Sequence, residues 1–211
     1  ERVTNCDAQY TLQVEEVDIN DPIYQMRLKR NLHAARCVLT WLSANRMDVV
    51  IVPNGTIQEF GVVYEVAEYL GIEVVSYEFG DQRKRIWIAQ NAKVMRQETD
   101  QLWEVYKDLP LTRAEKRTIH KLYGARRKAS IWKNFSRLWQ SAPAKGVQQA
   151  RADLKLDDRL VVLLATNVLG DSLTIGREIF TKTMEDWFVR TLQYFVGKPN
   201  IQFIIRIHPG E

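Results

Sequence analysis

The spacing of hydrophobic and polar positions changes several times along the chain, and each change marks an element. Residues 10–19 alternate apolar and polar side chains, the two-residue period of a half-buried strand. Asp21-Pro22 then offers an N-cap with proline at the first helical position. After it Ile23, Met26, Leu28, Leu32, Ala35, Val38, Leu39 and Leu42 recur with helical spacing towards Asn45, which predicts a long amphipathic helix. Asp48-Val-Val-Ile-Val-Pro53 is apolar on both faces, as a buried parallel strand requires. It ends in Asn54-Gly55-Thr56, where glycine permits a tight turn and Thr56 is placed to cap the next helix. Phe60, Val63, Val66, Ala67 and Leu70 give that helix its core face, Gly71 stops it, and residues 72–77 supply a further short strand. Residues 10–77 thus read as β-α-β-α-β, the pattern of a parallel α/β architecture.

Residues 85–90 continue as a strand, and residues 94–106 and 112–140 carry helical patterns on either side of Pro110. Residues 141–146, Ser-Ala-Pro-Ala-Lys-Gly, read as a linker. Beyond it a strand over 159–165 leads into the loop Thr166-Asn-Val-Leu-Gly-Asp-Ser172, then a helix over 180–196 and a strand over 201–207. One βαβ unit cannot bury both faces of its sheet, so this second domain is expected to be incomplete. The expected division is an N-terminal Rossmann-like unit at 1–110, a basic helical connection and linker at 111–150, and the start of a second unit at 151–211. No solenoid repeat or low-complexity tract interrupts this order.

Composition narrows the class. The chain has 211 residues, 45% hydrophobic and 27% charged, which suits a globular chain. No stretch approaches the roughly 18 consecutive apolar residues of a membrane span. Cys6 and Cys37 have neither CxxC spacing nor the density of a disulfide scaffold, so metal fingers and cysteine-rich folds are excluded and a reducing cytoplasm is expected. The chain starts at Glu1 rather than Met, which suggests a piece of a longer protein or a trimmed product. The net charge of +4 is local: residues 113–137 hold nine Lys or Arg against Glu115 alone, a segment of +8 that leaves −4 for the rest.

In open parallel sheets ligands collect at the carboxyl ends of the strands, where helix N-termini present amides to anions. His208 stands directly after a strand and before Pro209, where it can donate to a phosphate oxygen or meet charge on a leaving group; a structural turn with a hydrogen-bonded histidine fits the same residues. The loop from Thr166 to Ser172 brings small polar residues and Gly170 within reach of a phosphate. It has neither GxGxxG nor GxxxxGK[ST], which argues against a common dinucleotide fold and a P-loop. Asn54, Gly55 and Thr56 form another strand-end turn, and Glu78-Phe79-Gly80 a third. Glu59 and Glu78 are the acids nearest these ends and are the candidates to deprotonate a hydroxyl nucleophile, although an exposed acid without a role is the plainer reading of each. His33 and His120 fall on helices and read as surface or packing residues. Tyr123, Trp132, Phe135 and Trp139 interleave with the basic run. That run reads as a solvated basic face, as a surface for anionic membrane through Arg126, Arg127, Lys128 and Trp132, or as a nucleic-acid surface.

Two Rossmann-like units, a helical connection and a strand ending in Arg206-Ile-His-Pro-Gly-Glu211 together resemble a bacterial GT-B glycosyltransferase, near the capsule polysaccharide synthesis group. The layout covers the whole chain, while the specific motif is short. The resemblance implies a GT-B-like α/β fold with the second unit truncated, and transfer of a sugar from a nucleotide-activated donor to a polysaccharide or lipid-linked acceptor. It implies that His208 and Pro209 contact the donor phosphate, with Thr166, Asn167, Gly170, Ser172, Arg206 and Gly210 around them. Asn54, Gly55, Thr56, Phe79 and Gly80 would shape the acceptor side. It also implies no cofactor beyond the nucleotide-sugar substrate and no bound metal, and the sequence has no His, Asp and Glu cluster at ligand spacing. No Asp or Glu base motif stands out in the N-terminal unit, and the base and ribose contacts usual later in a GT-B domain would lie beyond Glu211, so this stretch alone is expected to be inactive. The expected setting is cytoplasmic, peripheral on the inner face of the cell membrane. The alternatives are a GT-B-like sugar-nucleotide epimerase and a nucleic-acid-binding module on residues 113–137, the latter less favoured.

Overall fold

A computed structural model describes residues 1–133, 135, 142–171, 173–176 and 179–208. The protein is a mixed α/β chain whose contacts divide it into two compact units. One contains Glu1–Tyr77, Ile88–Arg96 and Asp158–Glu211, and the other contains Glu78–Trp87 and Gln97–Asp157.

The first unit opens with helix α1 (Arg2–Leu12), where alternation predicted a strand from residue 10. Val3, Thr4, Asp7 and Ala8 are its buried residues, a helical stripe in which two of four members are polar. A hydrophobicity pattern cannot register such a stripe. Gln13 closes the helix in the left-handed region at φ 53°, its N–H donating to the Gln9 carbonyl. Helix α2 (Pro22–Ala44) begins as its sequence requires, with Asp21 accepting from the Ile23 N–H at 2.7 Å and proline at the first position. Its buried residues are Tyr24, Asn31 and Leu42, whereas Ile23, Met26, Leu32 and Leu39 of the expected core face are exposed.

Part of the inward face of α2 is polar. Asp7 is fully buried and is held by Arg27 at 3.1 Å and Arg30 at 2.5 Å, both on α2. Asn31 donates to the buried Thr4 hydroxyl at 3.1 Å. The face of α2 that meets α1 carries Arg27, Arg30 and Asn31, while Leu42 and the half-buried Leu28, Ala35 and Val38 of the expected apolar face also turn inward.

Strand β1 (Val49–Pro53), helix α3 (Gln58–Tyr69) and strand β2 (Glu73–Phe79) follow, with β1 and β2 parallel in register from Val49 opposite Glu73 to Pro53 opposite Tyr77. The core gathers Leu42, Val52, Tyr64, Ala67 and Val74, backed by Val38, Val50, Val63, Val66, Leu70 and Ile72. Only Val52 of β1 is buried, and Ile51 is 67% exposed, so the strand is not covered on both faces as its composition suggested. Strand β3 (Ile86–Gln90) completes a sheet of order β1-β2-β3. Bonds from the Asn91 N–H to the Val74 carbonyl and from the Gly80 N–H to the Arg85 carbonyl give it the pattern of a hairpin with β2.

Residues 94–106, expected as one helix, split into a 3-10 turn (Val94–Arg96) and helix α4 (Asp100–Tyr106). Helix α5 (Arg113–Arg127) starts as expected at Thr112, which forms a reciprocal capping box with Glu115. It stops at Arg127 rather than residue 140. Ala129 turns left-handed at φ 51° and the Ser130 N–H returns to the Ala125 carbonyl, a termination that side-chain periodicity does not encode. Residues 134 and 136–141 of the expected helix, including Trp139, lie outside the described residues.

A short helix α6 (Val147–Asp153), unforeseen in the sequence, precedes strand β4 (Leu160–Ala165). Helix α7 (Met184–Val196) and strand β5 (Ile201–Arg206) then complete the expected βαβ unit, and β4 and β5 are parallel from Leu160 opposite Ile201 to Ala165 opposite Arg206. Phe195 of α7 stacks on Phe203 of β5 with ring centroids 4.5 Å apart, which seats the helix on its sheet. Among the described residues no helix is long and apolar enough to cross a membrane.

Candidate functional site

The loops leaving β4 and β5 meet. Parallel register puts Ala165 opposite Arg206, and the ladder continues one step further, with the Thr166 N–H donating to the Arg206 carbonyl at 3.0 Å. The Thr166 hydroxyl then accepts the His208 backbone N–H at 2.9 Å. Two residues picked out separately in the sequence, 42 positions apart, are thus tied at the carboxyl ends of adjacent strands. Both are half-buried, and Arg206 is exposed beside them. Ser172, Pro209 and Gly210 lie outside the described residues.

Asn167 turns the chain, its side-chain oxygen accepting the Val168 N–H at 2.9 Å. Asp171 does the same two residues on for Leu173, and its carbonyl accepts from the Thr174 hydroxyl, so the loop is held by its own side chains. Gly170 is buried with φ 67°. A Cβ there would come 2.2 Å from the Gln9 carbonyl oxygen, so only glycine lets this loop lie against the end of α1.

A cavity of about 550 Å³ opens beside the Gly170 loop, with Gln9, Glu15, Asn167, Gly170, Lys182 and Trp187 in its wall, whereas Thr166, Arg206 and His208 do not line it. Its volume falls in the range of small-molecule sites, roughly 300–1,000 Å³. Glu15 crosses the cavity wall to the start of α7. Its carboxylate accepts the N–H groups of Met184 at 2.5 Å and Glu185 at 3.1 Å, while Thr183 accepts the Asp186 N–H at 3.0 Å. The amides that a helix N-terminus turns toward anions are therefore satisfied from within the chain. Sequence reading missed Glu15 and Gln9. They lie 169 and 161 residues from their partners, and the strand assigned to residues 10–19 concealed a helix end.

Elsewhere the candidate residues take other roles. Asn54 and Gly55 are both left-handed, at φ 58° and 78°, and the Asn54 side chain accepts the Thr56 N–H at 3.0 Å. A Cβ on Gly55 would lie 3.0 Å from the Tyr64 ring, so this turn is packed onto α3. Thr56 is buried and is not the cap of α3: Ile57 holds that position, without a side-chain bond. Glu59, in the first turn of α3, pairs with Arg30 at 3.1 Å and so joins the network around Asp7. Glu78 accepts the Phe79 N–H at 3.0 Å, Phe79 is exposed, and Gly80 lies beside Trp87; all belong to the second unit, whereas Asn54, Gly55, Thr56 and Glu59 belong to the first. Arg126 and Arg127 end α5, Lys128 caps it, and Trp132 follows with the Lys133 ammonium 5.0 Å from its ring centroid. His33 and His120 are exposed, as expected. Among the described residues no group of three or more His, Cys, Asp or Glu side chains converges to hold a metal ion.

Cys6 and Glu65 are among the electrostatically perturbed groups of the first unit. Burial raises the Cys6 thiol, so it stays protonated beyond its ordinary range. Glu65 is pushed up by burial, but hydrogen bonds from Lys93 at 2.6 Å and from Arg2 outweigh this and hold its carboxyl below the ordinary value. Comparison with protein-family models, curated proteins and solved structures finds no match to this chain.

Proposed function

We propose that the chain is part of a GT-B-type glycosyltransferase that binds the phosphates of a nucleotide-activated sugar at the carboxyl ends of β4 and β5. The observation that carries this reading is the bond from the His208 N–H to the Thr166 hydroxyl, which joins the two strand-end loops beside a cavity of ligand size. Parallel α/β sheets collect anionic ligands at this edge.

In the proposed reaction an acceptor hydroxyl attacks the anomeric carbon of the donor. The new C–O bond forms as the bond from that carbon to the phosphate oxygen breaks, and the hydroxyl proton passes to a base. The electron pair leaves with the nucleotide phosphate, whose growing negative charge is met by the His208 side chain and loop amides. Glu59, in the unit that contains β4 and β5, remains a candidate base. Glu59 would first have to release Arg30, with which it is paired. The acceptor is a polysaccharide or a lipid-linked saccharide, as the resemblance implies.

Calorimetric titration with UDP, CMP, CDP and GDP, repeated with His208→Ala, tests the proposal. One nucleotide is expected to bind, and the substitution to weaken it by about 1.5–3 kcal/mol, the cost of losing a hydrogen bond to a charged group. Binding of none, or binding indifferent to His208, would contradict the donor site.

A further inference from the structure

The second unit carries two surfaces that the transferase reading does not use. Helix α4 is exposed on all sides, its apolar side included: Leu102, Trp103, Val105 and Tyr106 are 59%, 66%, 64% and 61% exposed. At 3.6 residues per turn these four cover an arc of about 160°, opposite Asp100, Glu104 and Lys107. The apolar exposure continues through Leu109 and Leu111 to the start of α5. Exposed apolar residues in such a run mark an interaction surface rather than the scattered exposure of ordinary chains.

Helix α5 supplies charge. Arg113, Lys116, Arg117, Lys121, Arg127 and Lys128 fall within an arc of about 140°, with His120 and Gly124 between them and no acid. All six side chains are exposed, and none is ion-paired with a described residue. Leu122, Gly124 and Ala125 are half-buried and no residue of α5 is buried, so its cations stand exposed.

We propose that α4 and α5 adsorb to an anionic lipid bilayer, α4 inserting its Trp, Tyr, Leu and Val side chains at the headgroup level and α5 laying its cations on the lipid phosphates. Trp and Tyr suit the boundary between headgroup and acyl chain, where one end of the ring is wet and the other apolar. Cations near an anionic leaflet add attraction that apolar insertion lacks. A nucleic acid would use the basic arc but leave the exposed α4 face uncovered, and for that reason the bilayer is the better fit. The inference is independent of the nucleotide site, since vesicle binding and nucleotide binding are read separately.

The test is co-sedimentation of the full chain with phosphatidylcholine vesicles and with vesicles containing about 30% phosphatidylserine. Binding to the anionic vesicles only is expected, declining as salt rises. Lys116→Gln, Arg117→Gln and Lys121→Gln together are expected to weaken it by about a hundredfold, each charge contributing about fivefold near the surface. Trp103→Ser with Tyr106→Ser is expected to weaken it by about tenfold or more while leaving the salt dependence in place. All five positions are exposed, and helical circular dichroism confirms that each variant folds. Equal binding to neutral vesicles, an unchanged triple variant, or binding to single- or double-stranded RNA with none to vesicles would overturn the proposal.

Discussion

Asp7 shows how one residue can set the packing of two helices. A carboxylate with no solvent exposure, bonded by two guanidinium groups, is costly to bury and far more costly to leave unmatched. Asp7→Ala would leave Arg27 without its anion and Arg30 with Glu59 alone, and a loss of about 3 kcal/mol in unfolding free energy is expected from denaturant titration. A change below about 1 kcal/mol would mean that the network is not the tie between α1 and α2. Gly170→Ala makes a second case, because the added methyl meets the Gln9 backbone and the residue must also hold a positive φ. A drop of several degrees in melting temperature is expected, where a surface glycine such as Gly176, with open space around it, is expected to cost less.

Glu65 links Arg2 of α1 to Lys93, which precedes the 3-10 turn. Its folded-state pKa is lowered, so its stabilising contribution is present above the unfolded value near 4.3 and is lost as pH falls through the lower folded value. Melting curves collected between about pH 6 and pH 3 should therefore fall less steeply for Glu65→Gln than for the parent. Equal slopes would contradict the assignment. At this scale the sequence showed which residues end strands, including Thr166 and His208. It could not show Asp7 or Glu15, because neither burial of an acid nor a partner more than 160 residues away leaves a mark in local pattern.

Elements were legible where their signals are local. The Asp21-Pro22 start of α2, the Thr112 start of α5 and the parallel strands on either side of α3 and α7 follow from caps, turns and apolar runs. Failures came where tertiary contacts decide the outcome. The stripe of α1 is half polar, only part of the apolar face assigned to α2 is buried, and α5 ends on a left-handed alanine. That last feature makes a prediction. Ala129→Gly relieves the positive φ and should raise the melting temperature, by an amount on the order of 1 kcal/mol of stability. A lower melting temperature would show that α5 does not end there.

For the whole molecule, charge and topology point to different parts of the chain. The basic excess lies in a unit that contains α4 and α5, while the loops after β1, β4 and β5 lie in the unit that contains α1 and α7. The α/β class was readable because parallel pairing demands a crossover helix between strands, and the spacing supplied one each time. The cavity was not readable, since its wall joins residues 9 and 15 to residues 167–187. The central claim is that a nucleotide phosphate binds where Thr166 and His208 meet. Backbone amide mapping by NMR of the full chain during titration with UDP, CMP, CDP and GDP tests it most directly. Shifts centred on residues 165–171 and 206–208 for one nucleotide, diminished in Thr166→Val and retained in Thr166→Ser, are the predicted result. Shifts confined to other residues, or no shift with any nucleotide, would contradict the claim.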